Sequence, residues 1–148
     1  MIAAPGVHGQ RGAAAVEFAL VSSLFFVSLL GAVEVARILW VWNAGVEATR
    51  LGARLSVVCP LTVEQQGIIV QHMRTRVNDL SSDKISFDYI DNGLGVEAVR
   101  VSINGFEHQT VIPPLLPRVP TSLTMPSFST TLRREWTSSV NNPVCAAP

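Results

Sequence analysis

The first long pattern in the chain is an apolar segment over residues 13–33, in which Glu17 is the only charged residue. A helix of about 20 apolar residues crosses the roughly 30 Å hydrocarbon core of a bilayer. The helical pattern continues without a proline as far as Pro60. It therefore predicts one helix over residues 13–58, about 45 residues or roughly 68 Å long, that spans the membrane at its N-terminal end.

A second helix is predicted after Pro60. Thr62 and Gln65 have the spacing of a capping box, with Thr62 as N-cap and Gln65 reaching back to it. The apolar periodicity continues to about Leu80, so one face of this helix is expected to pack on a sheet or on the first helix. The residues of that face are Ile69, Val70, Met73, Val77 and Leu80.

The rest of the chain alternates with a period of two. Residues 85–90 and 99–104 alternate apolar and polar side chains on either side of Asn92-Gly93, which predicts a β-hairpin. The prolines of residues 113–120 exclude a sheet interior and predict an irregular connection. Alternation resumes at residues 128–134 and predicts a last strand.

These elements predict an α+β fold. A long N-terminal transmembrane helix continues into a small ectodomain with a second helix and a short antiparallel sheet. The predicted divisions are a cytoplasmic leader at residues 1–12, the long helix at 13–58 and an extracytoplasmic α+β domain at 59–148. A chain of 148 residues has room for one such domain beside a membrane helix.

The charge content supports this organisation. Charged residues make up 15% of the chain, against about a quarter in soluble domains, and the formal net charge is zero. The basic residues are scattered and balanced by acidic ones, with no stripe along which a phosphate backbone could lie. Nucleic acid is therefore not expected as a partner.

No pattern of catalytic or metal-binding residues is found. His8 lies in the leader, His72 on the second helix and His108 in a predicted loop, and no zinc, nucleophile-elbow or phosphate-loop motif is present. Asp88 and Asp91 flank the hairpin turn, where carboxylates are usually solvated turn-formers. The sequence predicts no enzyme activity, no cofactor and no metal.

Glu17 is the residue whose chemistry most needs an explanation. An ionised Glu in the outer part of a bilayer costs on the order of 1 kcal/mol or more unless it is protonated, reaches the interface or meets a cation. A secretory signal peptide has an apolar region of about 7 to 15 residues, which is shorter than this segment. Two readings remain: a plain signal anchor whose Glu17 reaches the interface, and a leader that is cut near Gly12.

Residues 11–20, Arg-Gly-Ala-Ala-Ala-Val-Glu-Phe-Ala-Leu, resemble the start of the TadE-like minor pseudopilins of the tight-adherence pilus system. Residues 46–54 and 129–135 are similar to the helix end and the last strand of that family. The resemblance implies that a prepilin peptidase cuts between Gly12 and Ala13. It also implies that Glu17 is the assembly charge, which pairs with the free amino group of a neighbouring subunit.

The resemblance further implies a structural function: assembly or priming of a tight-adherence type IV pilus for surface adhesion. The implied partners are the prepilin peptidase, other pilin and pseudopilin subunits, the inner-membrane assembly platform and the lipid bilayer. The implied location is the bacterial inner membrane, with a single span and a periplasmic C-terminal domain, and the extracellular pilus after assembly.

Small residues at four-residue spacing form two narrow faces on the second part of the long helix, where backbones can approach closely. These faces pack either against the chain's own domain or against another subunit, and the sequence allows both. The first face, predicted as a helix-packing site, consists of Ala44, Ala48 and Gly52, and the second of Gly45, Thr49 and Ala53. Trp40 and Trp42 are expected at the outer edge of the membrane or in a helix interface.

The two cysteines, Cys59 and Cys145, both follow the membrane segment. In an oxidising periplasm they are expected to form a disulfide that joins the end of the long helix to the C-terminal tail. Two unpaired thiols are the other reading. Neither cysteine belongs to a CxxC motif or a Cys/His cluster, which argues against a metal site.

The basic residues beside the membrane segment favour the opposite orientation from the one that the resemblance implies. Arg11 is the only fixed positive side chain before the segment, whereas Arg37 and Arg50 follow it, although Arg37 can pair with Glu34. A different class of function is kept as the alternative: an unprocessed, single-pass membrane-anchored extracytoplasmic domain whose exposed hairpin and Pro-rich loop hold a ligand or partner.

Overall fold

A computed structural model of the chain describes residues 8–60, 62–78, 80–93, 95–111, 120–134, 142–146 and 148. It contains a long helix, a second helix and a small antiparallel sheet, which confirms the predicted α+β layout. The Pro-rich connection predicted at residues 113–120 lies outside the described residues except for Pro120.

Helix α1 spans His8–Val58, so it begins five residues before the predicted start. Residues 8–12 contain no proline, so they are compatible with an extension of the helix. Pro5 lies just before them in the sequence, and proline disfavours a helix interior because its φ is fixed and it lacks an N–H. The chain divides into two compact units, Met1–Arg37 and Ile38–Pro148.

In the first unit the apolar side chains of α1 are exposed. Phe18 is 75% exposed, Leu24 70% and Phe25 61%. The serines in this apolar segment bond to the helix itself, because Ser23 Oγ donates to the Leu20 carbonyl at 2.8 Å and Ser28 Oγ donates to the Leu24 carbonyl at 2.9 Å. Their hydroxyl groups therefore do not need water as a hydrogen-bond acceptor.

In the second unit the C-terminal part of α1 packs with helix α2, Val63–Arg74, and with the sheet. The Thr62 side chain accepts a hydrogen bond from the Gln65 backbone N–H at 3.2 Å, which confirms the predicted N-cap. The buried apolar core includes Ala48, Ala53, Leu55, Ile69, Met73, Val77, Leu80, Val99, Val101, Ile103, Phe106, Met125 and Phe128.

Helix α2 ends at Arg74, six residues before the predicted end at Leu80. The Thr75 hydroxyl donates to the His72 carbonyl at 2.7 Å, and the Thr75 backbone N–H also bonds to that carbonyl. A short side chain that bonds to the last turn competes with the regular helix ladder. Leu80 is nevertheless buried, at 2% exposure, because the chain folds back onto the core.

The main sheet has three antiparallel strands, with the strand of residues 96–103 between those of residues 85–91 and 128–133. Strands β1 (Ile85–Asp91) and β2 (Val96–Ile103) form the predicted hairpin, in which Phe87 pairs with Val101. Strand β5 (Phe128–Arg133) confirms the predicted last strand and pairs with β2. Gly93 in the hairpin connection has a φ of 85°, a conformation that glycine adopts without steric cost.

A two-stranded ribbon was not predicted. Strands β3 (Glu107–Gln109) and β4 (Ser122–Thr124) pair antiparallel. His108 lies on β3 and is 5% exposed, so its prediction as a loop residue was wrong. Three-residue strands are too short to show a periodic pattern, which is why the sequence did not reveal them.

Candidate functional site

The predicted cleavage site lies near the start of α1. Gly12 and Ala13 are both exposed helical residues. Outside its chain neighbours and the local helix backbone, a Cβ added at Gly12 would meet no atom of the described residues within 4 Å. Glycine also lowers the stability of a helix interior by about 1 kcal/mol relative to alanine, which favours local opening here.

Glu17 lies on the same exposed, apolar part of α1. Its neighbours Val16 and Phe18 are 61% and 75% exposed, and Leu20 one turn further is 66% exposed. Ala13 and Glu17 are four residues apart, so they share one helix face at a rise of about 6 Å. The structure therefore brings the predicted scissile bond and the predicted assembly charge onto one side of the helix, one turn apart.

Among the described residues, one helix is long and apolar enough to cross a membrane by length and composition. It covers Gly12–Val58, and its most apolar stretch of 18 residues is not buried within the protein. Burial inside the domain therefore does not explain why this segment is apolar. A single membrane anchor is the corresponding organisation.

Two ion pairs follow the apolar segment on α1. Arg37 Nη1 lies 3.1 Å from Glu34 Oε2, which confirms the pair expected from their spacing. Arg50 Nη1 lies 3.8 Å from Glu47 Oε2, with both side chains about half exposed. The Glu47–Arg50 pair is exposed and stabilises the helix by only a few tenths of a kcal/mol, whereas the Glu34 side chain is 12% exposed.

The small residues of α1 pack against the chain's own domain. Ala48 has no exposed surface, and Ala44 is half-buried against the core. A Cβ at Gly52 would lie 2.6 Å from Met73 Sδ and 3.2 Å from Val101 Cγ1. Of the two predicted partners for this face, the chain's own domain and another subunit, the chain's own domain therefore covers Ala48 and Gly52.

The second small-residue face contacts strand β5. A Cβ at Gly45 would lie 3.0 to 3.2 Å from ring atoms of Phe128. The Phe128 ring also packs edge-to-face on Trp42 at 5.1 Å between centroids. Trp42 is thus part of an intramolecular contact, whereas Trp40 is 70% exposed.

Cys59 and Cys145 form a disulfide, with their Cα atoms 5.6 Å apart. Helix α2 holds the same C-terminal segment by side-chain hydrogen bonds. Gln65 Nε2 donates to the Cys145 carbonyl at 2.9 Å, and His72 Nε2 lies 2.8 Å from the Ala146 carbonyl oxygen. Gln65 therefore directs its side-chain amide to the tail rather than to the start of its own helix, and His72 has a structural contact.

Sequence reasoning did not identify Gln65 and His72 as tail-binding residues. Their i, i+7 spacing places both on the same side of α2, but nothing in the sequence indicates that the tail lies there. Asp91 behaves as a turn-former, because its Oδ1 accepts a hydrogen bond from the Gly93 N–H. Within the described residues no group of three or more His, Cys, Asp or Glu side chains could hold a metal ion.

Comparison with known families gives one match. Residues 12–54 match the family model described as TadE-like protein, which begins at Gly12 and covers under a third of the chain. A search of curated proteins and a search of solved structures find no match. The matched segment contains Ala13, Glu17 and the small residues of α1. Residues 12–54 of this chain therefore match a TadE-like domain, and the TadE-like family is a pilus-associated, structural kind of protein.

Proposed function

We propose that this protein is a minor pilin or pseudopilin of a tight-adherence pilus. A prepilin peptidase cuts it between Gly12 and Ala13, and residues 13–33 hold it in the inner membrane until assembly. The supporting observation is the exposed Glu17, which follows Gly12 by five residues on an apolar helix at the start of the TadE-like match. The protein then assembles or primes a pilus that serves surface adhesion.

Cleavage supplies the cation that Glu17 needs. The new α-amino group of Ala13 is positive at neutral pH, and it lies at the positive end of the helix dipole. A carboxylate 4 Å from such an amine gains about 4 kcal/mol at an effective dielectric constant of about 20. That gain offsets a cost on the order of 1 kcal/mol or more for an ionised Glu in the outer bilayer.

Helix geometry limits how two subunits can make this pair. Glu17 lies about 6 Å further along the helix axis than the Ala13 nitrogen. Two parallel helices therefore pair amine with carboxylate when one is displaced by roughly one turn along the axis. The charge pair sets an axial register, and exposed side chains such as Phe18 and Leu20 supply the apolar contact around it.

The proposed peptidase reaches a bond inside a helical turn, so the start of α1 has to open locally. Helix ends open at low cost because their first N–H groups lack intrahelical partners. The glycine at the scissile position adds to this tendency. The remaining proposed partners are other pilin and pseudopilin subunits, the inner-membrane assembly platform and the lipid bilayer.

The proposed orientation places residues 59–148 in the periplasm. The Cys59–Cys145 disulfide supports this location, because structural disulfides persist in oxidising compartments. The arginines Arg37 and Arg50, after the apolar segment, favour the reverse orientation by the positive-inside count. Each of them is paired with a glutamate one turn earlier, at 3.1 and 3.8 Å.

The variants Glu17→Gln and Glu17→Asp test the proposed charge pair. Gln keeps the size and removes the charge, so membrane insertion is expected to remain while pilus assembly and surface adhesion are lost. Asp keeps the charge on a shorter side chain and is expected to retain partial assembly. Normal pili and adhesion in the Glu17→Gln strain would overturn the proposed role.

A further inference from the structure

We infer that Cys145 is the sulfur through which the Cys59–Cys145 bond is made and opened by a thiol–disulfide exchange partner, and that Cys59 is the resolving cysteine. The inference rests on the proposed location of residues 59–148 outside the cytoplasm, because formation of the bond needs an oxidising protein disulfide there. The thiol–disulfide exchange protein acts during maturation of the domain and is a partner in addition to those of pilus assembly.

The two cysteine residues differ in exposure. Cys59 follows the last turn of α1, its backbone N–H bonds to the Leu55 carbonyl at 2.8 Å, and it has no exposed surface. Cys145 is partly exposed in the short turn Pro143–Cys145, where the neighbouring Val144 is 53% exposed. An exchanging thiolate has to reach the sulfur that it attacks, so the inferred site of attack is the more exposed of the two cysteines, Cys145.

The forming reaction has two balanced steps. The Cys145 thiolate attacks one sulfur of the partner's disulfide, which forms a mixed disulfide and releases one partner thiolate. The Cys59 thiolate then attacks Cys145 Sγ, which breaks the mixed bond, forms Cys59–Cys145 and releases the second partner thiolate. Two protons pass from the chain's thiols to the partner's, so the chain is oxidised as the partner is reduced.

Two helix α2 side chains hold the tail independently of the sulfur bond. Gln65 Nε2 donates to the Cys145 carbonyl at 2.9 Å, and His72 Nε2 lies 2.8 Å from the Ala146 carbonyl oxygen. Gln65 is itself buried, at 8% exposure. These contacts keep Cys145 beside Cys59 while the bond is open, so that Cys59 resolves the mixed disulfide before the tail leaves. Gln65 and His72 are therefore positioning residues.

The site of attack is measured with glutathione as the thiol probe. The oxidised full chain in detergent is treated with reduced glutathione, quenched with acid and digested, and mass spectrometry locates the glutathione adduct. We expect the adduct at Cys145 to exceed that at Cys59 by about tenfold or more, because thiol exchange follows access. By microscopic reversibility the same sulfur is used when the bond forms. Equal or greater modification of Cys59 would overturn the inference.

The positioning role is measured by the lifetime of the mixed disulfide after the glutathione is diluted. Gln65→Leu is expected to lengthen that lifetime, whereas Gln66→Leu is the matched control, because Gln66 Nε2 donates to the Tyr89 hydroxyl instead of the tail. His72→Phe gives a second test that leaves Gln65 intact. An unchanged lifetime in both Gln65→Leu and His72→Phe would contradict the positioning role.

Failure of this inference and failure of the proposed function give different results. Thiol labelling of the chain in native membranes reports whether the cysteines are bonded in the cell. Free thiols there would overturn the proposed periplasmic location, and with it the oxidising partner. If the cysteines are bonded in the cell but the glutathione adduct forms at Cys59, the assignment of Cys145 as the attacked sulfur would be overturned and the proposed location would stand.

Discussion

Gly52 of α1 lies against Met73 of α2 so closely that a methyl group at position 52 would come within 2.6 Å of Met73 Sδ. Val101 of the central strand approaches the same point at 3.2 Å. Three elements of the domain thus meet at Gly52, which has no side chain. The space left by the missing side chain of Gly52 is filled by the side chains of Met73 and Val101, so α1 packs closely into the core.

The Gly52 contact predicts that Gly52→Ala and Gly67→Ala change the stability of the domain in opposite directions. Gly52→Ala is expected to destabilise the domain by about 1 to 3 kcal/mol, because Met73 and Val101 have to shift. Gly67→Ala in α2 meets nothing within 4 Å and is expected to stabilise it by up to about 1 kcal/mol through helix propensity. Thermal unfolding of the full chain in detergent, followed by near-ultraviolet circular dichroism, measures both. A Gly52→Ala variant as stable as Gly67→Ala would contradict the close contact.

The small-residue pattern shows what the sequence could and could not predict. Spacing alone identified the faces that contain Ala48 and Gly52, because four-residue periodicity reports the surface of a helix directly. It did not identify Met73, Val101 or Phe128 as the surfaces opposite, because those contacts depend on how distant segments fold together.

Element ends and short elements were predicted less well than long ones. The apolar period of α1 and the alternation in β1, β2 and β5 are strong signals over many residues. The end of α2 is set by a local Thr75 hydrogen bond, and the β3–β4 ribbon has three residues in each strand. The N-cap Thr62 was predicted correctly. The predicted contact of the Gln65 side chain with the start of its own helix was wrong, because that side chain donates to the carbonyl of Cys145, which is distant in the sequence.

A second prediction concerns the hydroxyl pair that joins α1 to β5. Thr49 Oγ1 and Thr130 Oγ1 are 3.1 Å apart, and Thr49 Oγ1 also donates to the Val46 carbonyl at 2.8 Å. Each single Thr→Val variant is expected to cost about 1 kcal/mol, because it leaves one hydroxyl without its partner. The double variant is expected to cost less than the sum of the two. Strict additivity in this double-mutant cycle would show that the hydroxyls do not interact.

A third prediction concerns the disulfide. The bond closes a loop over a sequence separation of 86 residues, for which the chain-entropy model gives about 4 to 5 kcal/mol of stabilisation. The double variant Cys59→Ser, Cys145→Ser is expected to lower the unfolding free energy of the domain by about that amount. Val144→Ser, beside the bond and more than half exposed, is the control and is expected to change it by less than about 0.5 kcal/mol. Equal stability of the double variant and the wild type would contradict the account.

A fourth prediction concerns the scissile glycine. Gly12→Leu adds bulk at the proposed cleavage position, where an added Cβ meets nothing within 4 Å among the described residues outside the local helix. We therefore expect the variant to fold and insert but to keep its leader. Gly31→Leu adds the same bulk at a second open glycine of α1 and is expected to be processed normally. Normal processing of Gly12→Leu, seen by mass on the membrane-extracted protein, would show that the peptidase tolerates bulk at this position.

Processing of the wild-type chain is the central claim, because the amine that pairs with Glu17 exists only after cleavage. The most direct measurement is the intact mass of the protein extracted from the membranes of its own cells. We predict the mass of a chain that has lost residues 1–12 and begins at Ala13. A mass that includes the whole leader would contradict the account and would favour an unprocessed, membrane-anchored binding domain.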